Sequence, residues 1–194
     1  MDRVDTDAQD QADMARLAAG HDAALNDLME RHAGALFRFL CRMVGQENDA
    51  NDLAQETFAR VFRHRANFQP QARFTTWLFT IAANLARNEL RRRHRHLAIA
   101  LDEPLPQSDF AVADTLAAAD PPPDQQALDT ERLAAVRHAV SRLPDDMREA
   151  VVLCELEDLH VAEAATILAS TPKAVESRLY RARQLLRKRL DRWF

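Results

Sequence analysis

The first hundred residues repeat apolar positions with the three-to-four-residue period of amphipathic helices. The longest run is residues 22–45, where Leu28, Leu36 and Leu40 fall on one face and Gly45 ends the pattern. Further helices are predicted at residues 13–19, 47–68 and 75–96.

The same period returns in the last third of the chain. Thr171 and Pro172 are a helix N-cap and a first helical residue, and a long amphipathic run follows them. The short turn "AST" separates this run from a shorter helix, which is the layout of a helix-turn-helix. Helices are predicted at residues 131–143, 144–158, 160–168 and 171–190.

A proline-containing acidic segment separates the two helical parts. Residues 98–130 contain no lysine or arginine but five prolines, three of them consecutive, and consecutive prolines exclude a helix. We therefore predict an all-α protein with two small domains, residues 14–97 and 131–194, joined by a flexible linker at 98–130. The acidic residues 1–13 are expected to be disordered.

The net charge of −4 hides a strongly uneven distribution. Residues 60–95 are basic with a single acid, Glu89, and residues 173–192 are basic with only Glu176 and Asp191 opposing. Two cationic modules with an anionic connector are compatible with a nucleic-acid partner despite the negative total.

The composition and motifs of the chain exclude several classes of protein. No apolar stretch is long enough to cross a bilayer, the acidic N-terminus is not a signal peptide, and Cys41 and Cys154 are expected to be reduced thiols, so a cytoplasmic location is expected. Phosphate-binding loops, zinc motifs and nucleophile elbows are absent from the sequence. An enzyme, a metal site and a cofactor are therefore not expected.

Three predicted helices have polar faces that core packing does not explain. Residues 47–68 present Asp52, Gln55, Glu56 and Arg63, and residues 75–96 present Trp77, Asn84, Arg87, Asn88 and Arg91. The long helix after the "AST" turn presents Lys173, Ser177, Tyr180, Arg181 and Gln184. In a helix-turn-helix such a helix enters the major groove N-terminus first, where Lys and Arg reach guanine edges or phosphates.

Three segments in order closely resemble the extracytoplasmic-function (ECF) group of bacterial sigma factors, the promoter-recognition subunits of RNA polymerase. They are "NDLAQETFARVF", "FTTWLFTIAANLARNELRRR" and "LPDDMREAVVLCELEDLHVAEAATILASTPKAVESRLYRARQLLRKRL". The resemblance covers residues 17–97 and 131–190. It implies a region 2 helical bundle that binds core polymerase and the −10 element, and a region 4 helix-turn-helix that binds the −35 element.

The resemblance also implies roles for individual residues. In the family the first motif docks on the clamp of the largest polymerase subunit, which assigns Asp52, Gln55, Glu56 and Arg63. The −10 surface captures the non-template strand by stacking, base-edge contacts and phosphate contacts, with the loop 68–74 forming a pocket for a flipped base. The residues assigned to it are Phe68, Arg73, Trp77, Asn84, Arg87, Asn88 and Arg91.

Region 4 is expected to rest on the flap of the second large subunit and to read the −35 element. The residues assigned to that element are Thr171, Lys173, Ala174, Ser177, Arg178 and Arg181. The chain departs from the family pattern at Ala169, Ser170, Pro172 and Glu176, which leaves its −35 sequence preference open; Asn88 stands where an aspartate is frequent. An anti-sigma factor that masks the polymerase-binding surfaces is a further expected partner.

The sequence alone leaves several alternatives open. Trp77 fits a core position as well as a stacking position, the arginine run 91–95 fits a solvated tail, and the linker fits a plain tether as well as a segment threaded into the polymerase cleft. The whole chain could be a stand-alone helix-turn-helix regulator or a decoy for an anti-sigma factor. Whether specific DNA binding requires core polymerase discriminates between them.

Overall fold

The computed structural model describes the backbone of residues 3–100 and 123–191 and the side chains of residues 6–95 and 130–191. Regular structure in these ranges is entirely helical, which confirms the all-α prediction. The helices are α1 (Arg3–Ala18), α2 (Ala24–Val44), α3 (Glu47–Arg63), α4 (Phe74–Ala100), α5 (Pro123–Ser141), α6 (Asp145–Val151), α7 (Val161–Ile167) and α8 (Pro172–Leu190). A 3₁₀ turn (Arg65–Asn67) follows α3, and a π-helical turn (Val152–Leu156) continues α6.

Helices α1–α4 form the first domain around an apolar core. Leu28, Leu36 and Leu40 of α2 are fully buried, as their spacing predicts, in the same core as Leu78 of α4. Gly45 ends α2 in the left-handed conformation (φ 76°), and its N–H donates to the carbonyl of Cys41 at 2.9 Å. Most of the core is therefore readable from apolar periodicity.

The prediction of disorder for residues 1–13 is wrong for residues 3–13, which belong to α1, while residues 1 and 2 lie outside the described residues. Asp10 is fully buried and accepts from Arg31 Nε at 3.0 Å, and its other oxygen lies 2.8 Å from His32 Nε2. Asp13 accepts from Arg31 Nη2 at 2.5 Å. Asp10 and Asp13, two of the acidic residues that indicated disorder, are therefore ion-pair partners of α2 and hold α1 in place.

The linker is shorter than predicted at both ends. Helix α4 runs to Ala100, and α5 begins at Pro123, so residues 98–100 and 123–130 are helical. Pro123 is compatible with this because a proline at the first helical position loses no intrahelical hydrogen bond. The prediction of a flexible linker now concerns residues 101–122, which lie outside the described residues.

The second domain has the predicted helix-turn-helix, formed by α7 and α8. Thr171 caps α8, with its Oγ1 accepting from the backbone N–H of Ala174 at 3.2 Å. The turn is closed by the Ser170 N–H, which donates to the carbonyl of Ala165 at 2.9 Å. Ala169 takes up a left-handed conformation (φ 47°) that side chains with a Cβ adopt only at a cost.

Replacing Ala169 by glycine should stabilise the chain by about 1 kcal/mol, because glycine reaches the left-handed region without a Cβ clash. Urea unfolding followed by circular dichroism measures this change. Ala162→Gly, at an exposed helical position of α7, is the control and should instead destabilise by roughly 0.5–1 kcal/mol. Destabilisation at both positions would contradict the left-handed turn.

The two domains pack against each other. Helix α4 lies against α7, and α2 contacts α5, α6 and the π-helical turn. Buried residues of both domains belong to one continuous apolar cluster. Within the described residues, no helix has the length and apolar character needed to cross a membrane.

Candidate nucleic-acid and polymerase interfaces

Helix α3 presents the four residues predicted to contact polymerase on one outer face. Asp52, Gln55 and Arg63 are exposed, while Thr57 and other residues of the opposite side are buried. Glu56 accepts from Arg60 Nε at 2.8 Å and from Arg63 Nη2 at 2.8 Å. Hydrogen bonds from Arg60, then Arg63, lower the pKa of Glu56. The face therefore offers one fixed carboxylate, that of Glu56, and the exposed amide of Gln55.

An aromatic cluster lies at the start of α4. The ring centroid of Trp77 is 5.3 Å from that of Phe68 and 6.3 Å from that of Phe74. Phe74 is buried, whereas Phe68 and Trp77 are only half-buried. Trp77 therefore packs against the domain and still has an accessible part, so both interpretations of this ring stand.

Further along α4, each amide of the polar face is paired with an arginine one turn later. Asn84 Oδ1 accepts from Arg87 Nη2 at 3.0 Å, and Asn88 Oδ1 accepts from Arg91 Nη2 at 2.6 Å. Asn84, Asn88 and Arg91 are exposed. An asparagine that accepts through its oxygen keeps its amide donors for another partner. Amide donors and guanidinium groups thus alternate along one exposed edge.

The arginines at residues 91–95 differ in their contacts: some pair with acidic or backbone groups of the first domain, and others line a surface pocket. Arg93 donates to the carbonyl of Val44 at 2.6 Å and pairs with Asp49, and Arg92 donates to Glu89 at 2.7 Å and 2.8 Å. Hydrogen bonds from Arg92, opposed by burial, and from Arg93 lower the pKa of Glu89. Arg91 and Arg95 instead line a surface pocket with Asn88 and His94. Arg93 anchors α4 to the α2–α3 corner, and the pocket side remains available to a ligand.

Helix α8 presents most of the predicted −35 residues to solvent. Lys173, Ser177 and Arg181 are exposed, as is the capping residue Thr171, while Ala174 is half-buried. Arg178 does not share this face. Its side chain is 24% exposed and turns toward α6, where Nε lies 3.6 Å from Asp146 Oδ2.

The assignment by motif omitted an exposed aromatic residue on α8. Tyr180 is 65% exposed and lies one position before Arg181 on the outward face. Tyr180 follows Lys173 by seven residues and Ser177 by three residues, and both spacings bring side chains to the same side of a helix. The sequence therefore already indicated that Tyr180 lies on the outward face. Glu176 is also exposed on this helix.

Two residues predicted for the −10 surface are engaged by acidic groups. Arg73 Nε donates to Asp7 of α1 at 2.8 Å, and its Nη1 pairs with Glu163 of α7. Hydrogen bonding to Asp7, opposed by burial, raises the pKa of Arg73. Arg87 Nη2 donates to the carbonyl of Ile167 at 3.4 Å, across the boundary between the domains.

Glu149 of α6 is a carboxyl buried at this boundary, with 4% of the residue exposed. Arg87 Nε lies 3.2 Å from Glu149 Oε1 but donates its hydrogen to the carbonyl of Ala83. Within the described residues Oε1 therefore receives no hydrogen bond. Burial, only partly opposed by Arg87 and Arg178, raises the pKa of Glu149 to about 7.

The Glu149→Gln variant should lose a component of the pH dependence of stability. The folded chain holds the Glu149 proton more tightly than the unfolded chain, so its contribution is full below pH 4.5 and is lost as the pH rises through about 7. The free energy of unfolding of the parent, minus that of the variant, should fall by about 1 kcal/mol between pH 6 and pH 8. Urea unfolding at several pH values measures it.

Glu131→Gln provides the matched control, because this glutamate is exposed on α5. Its difference from the parent should stay constant over the same pH range. Parallel stability profiles for the parent and the Glu149→Gln variant would contradict the buried, proton-holding carboxyl.

Comparisons with known proteins agree with this arrangement. Residues 28–96 match the model of Sigma-70 region 2, and residues 133–186 match that of Sigma-70, region 4. The RNA polymerase sigma-H factor of Pseudomonas aeruginosa is 32% identical over 190 residues, 96% of either chain. The ECF RNA polymerase sigma factor SigE of Mycolicibacterium smegmatis is 39% identical over 173 residues, which are 88% of this chain and 64% of that relative.

A solved structure shares the fold of both domains. The structure of CnrH in complex with the cytosolic domain of CnrY matches with a TM-score of 0.70 and 28% identity, covering 94% of this chain and 97% of CnrH. Both domains of the present chain are thus found together, in the same order, in proteins of one group. The chain belongs to the extracytoplasmic-function group of RNA polymerase sigma factors.

Proposed function

We propose that this sigma factor binds core RNA polymerase, directs it to promoters through their −35 and −10 elements, and assists melting of the DNA. The observation that carries the proposal is the presence of three distinct polar faces, on α3, α4 and α8, in one chain of this family. A sigma factor is an initiation factor rather than an enzyme, so the chemistry of RNA synthesis belongs to the polymerase.

The α3 face supports docking on the clamp of the largest polymerase subunit. Gln55 is exposed, and the Glu56 carboxylate is held in place by two guanidinium groups of its own helix. Side chains fixed before binding lose little conformational freedom on association, which favours affinity. Asp52 and Arg63 extend the face along the helix.

The α4 face supports capture of the melted non-template strand. Trp77 and Phe68 supply partly accessible rings for stacking, and Asn84 and Asn88 supply amides for base edges. Arg91 adds positive charge for phosphates beside the pocket that it lines with Asn88. These are the three interactions by which proteins hold single-stranded DNA.

The α8 face supports reading of the −35 duplex. Lys173 and Ser177 lie in the first turns of the helix and Arg181 follows one turn later, all exposed. A helix that enters the major groove N-terminus first brings these positions closest to the base edges. Arg178, which turns toward α6, serves the internal packing of the domain in this proposal.

An anti-sigma factor is the proposed regulator, and the cytoplasm is the proposed location. CnrH is known in complex with the cytosolic domain of CnrY, and the present chain covers nearly all of CnrH. We infer that a partner protein also binds the present chain, and that this partner controls access of the polymerase to it.

Equilibrium binding to bacterial core polymerase tests the proposed function. The purified, fluorescently labelled chain should bind core polymerase with saturable anisotropy, and unlabelled chain should compete. Circular dichroism verifies that the protein is folded. A folded chain that shows no saturable binding would reject the proposal and favour a stand-alone regulator.

A further inference from the structure

Helix α8 carries a single acidic residue, Glu176, on an otherwise cationic surface. The helix contains seven lysines and arginines, from Lys173 to Arg189, and no other aspartate or glutamate. Glu176 is exposed, three residues after Lys173 and four before Tyr180, which are exposed as well. Residues with these spacings are neighbours on the surface of a helix. The carboxylate therefore belongs to the face proposed to read the −35 duplex.

The domain itself gives this carboxylate no structural task. Within the described residues, Glu176 takes part in no hydrogen bond and no ion pair, whereas Glu155 pairs with Arg183 of the same helix. Glu176 is the fifth residue of α8 and lies beyond the first turn, where an acidic side chain would stabilise the helix through its dipole. Neither pairing nor capping accounts for the side chain, which is available to a ligand.

A negative charge on this face has a cost when DNA binds. The phosphates of the duplex repel a carboxylate, and the affinity of a protein for DNA depends strongly on its charge. A glutamate of a recognition helix can offset this repulsion by accepting a hydrogen bond from a base. Glu176 directly precedes Ser177 in the first turns of α8, the part of such a helix that contacts base edges.

The chemistry of the major groove determines which base fits. A carboxylate only accepts hydrogen bonds, so its partner must be an amine. Cytosine N4 and adenine N6 are the amines of this groove, and adenine places the acceptor N7 beside its amine, where it repels a carboxylate. Guanine presents the acceptors N7 and O6, and thymine presents O4 and a methyl group. Cytosine is therefore the base that a carboxylate fits best.

We propose that Glu176 specifies one position of the −35 element by accepting a hydrogen bond from the N4 amine of a cytosine. Any other base at that position leaves the carboxylate without a donor while the phosphates still repel it. Lys173, one turn earlier on the same face, supplies a positive charge for those phosphates. This inference rests on the proposed −35 role of α8 and deepens it, because it names a base that the helix selects.

Templates built on one start site of the holoenzyme, with the −35 block randomised, test the base assignment. The full chain is assembled with core polymerase, and the transcript from each template is compared with the share of that template in the library. At one position of the block, the parent should favour C·G over each other base pair by about fivefold or more.

Two substitutions should move this preference in different directions. Glu176→Gln should favour A·T at the same position, because glutamine pairs with N6 and N7 of adenine. Glu176→Lys should favour G·C there, because lysine donates to O6 and N7 of guanine. The preferences at the other positions of the block should stay as in the parent.

Glu131→Gln and Glu131→Lys are matched controls, because they make the same changes of charge at an exposed residue of α5. Both should keep the base preferences of the parent at every position. Circular dichroism verifies that all four variants are folded. If Glu176→Lys does not fold, Glu176→Gln carries the test, since it keeps the shape of the side chain.

The outcomes separate this inference from the proposed function. Unchanged base preferences in the Glu176 variants, or a changed preference at a position where the parent does not favour C·G, would overturn it. A general rise in transcription from all templates without a change in preference would also overturn it, because the carboxylate would then only repel phosphates. If the parent directs no transcription from any template, the proposed function is rejected, and this inference with it.

Discussion

Replacing Gln55 and Glu56 together by alanine should weaken binding to core RNA polymerase by about 30-fold or more. Central polar anchors of a protein interface often account for a large share of its affinity, and these two residues lie in the middle of the exposed α3 face. Alanine removes the Gln55 amide and the carboxylate that Arg60 and Arg63 hold in place. Competition with labelled parent protein measures the change.

The matched control is Asn26→Ala/Glu30→Ala, an exposed amide and an exposed carboxylate one turn apart on α2. This pair should bind polymerase like the parent. Both double variants should keep the helical circular dichroism of the parent, because all four side chains point away from the core. Equal loss of binding in the two variants would contradict docking through α3.

Asn84→Ala should reduce promoter opening by the holoenzyme roughly 5- to 150-fold, the equivalent of about 1–3 kcal/mol for one lost base contact. The physical reason is the exposed amide in the middle of α4, with its oxygen occupied by Arg87 and its donors available. Permanganate reactivity of unpaired thymines measures opening. Polymerase binding by this variant should be unchanged, since Asn84 lies on a different helix from Gln55.

Two further variants show which property of Asn84 matters. Asn84→Asp keeps an acceptor for Arg87 but removes the amide donors, so it should open promoters as poorly as the alanine variant. Asn48→Ala, an exposed amide on α3, should open them normally. An Asn84→Ala protein with normal opening would show that this amide does not contact the melted strand.

Features fixed by neighbours in sequence could be predicted. The cap at Thr171, the buried face of α8 through Val175 and Leu179, and the end of α2 at Gly45 all follow from local rules. The outward faces of α3 and α8 were predictable for the same reason, because a helix with one buried side must expose the other.

Features fixed by distant partners could not be predicted. Acidic residues at the N-terminus indicate disorder until Arg31 and His32 are known to surround Asp10. Arg178 matches a DNA-binding motif position, yet Asp146 of another helix draws it inward. Charge pairing across sequence distance has no periodic signature, so these contacts require the structure.

The contact between the domains also depends on partners that are distant in sequence, so it could not be predicted. Glu149 and Glu163 lie far from Arg87 and Arg73 in sequence, and they interact only because the two domains pack against each other. The acids of the second domain gave no reason to expect that they would cover the cationic face of the first. The contacts between the domains therefore came from the structure, whereas the family came from the motifs.

We expect this chain to select promoters only as a subunit of RNA polymerase. Transcription from a library of genomic fragments, followed by sequencing of RNA 5′ ends, tests this dependence on polymerase. The assay is run with core polymerase alone and with core polymerase plus the chain. A parallel pull-down shows which DNA fragments the chain binds by itself. We predict discrete start sites, with two shared upstream sequence blocks, only when core polymerase and the chain are both present. The chain alone should select no DNA that carries these two blocks. Selection of the same DNA by the chain without polymerase, or an unchanged set of start sites, would contradict the claim.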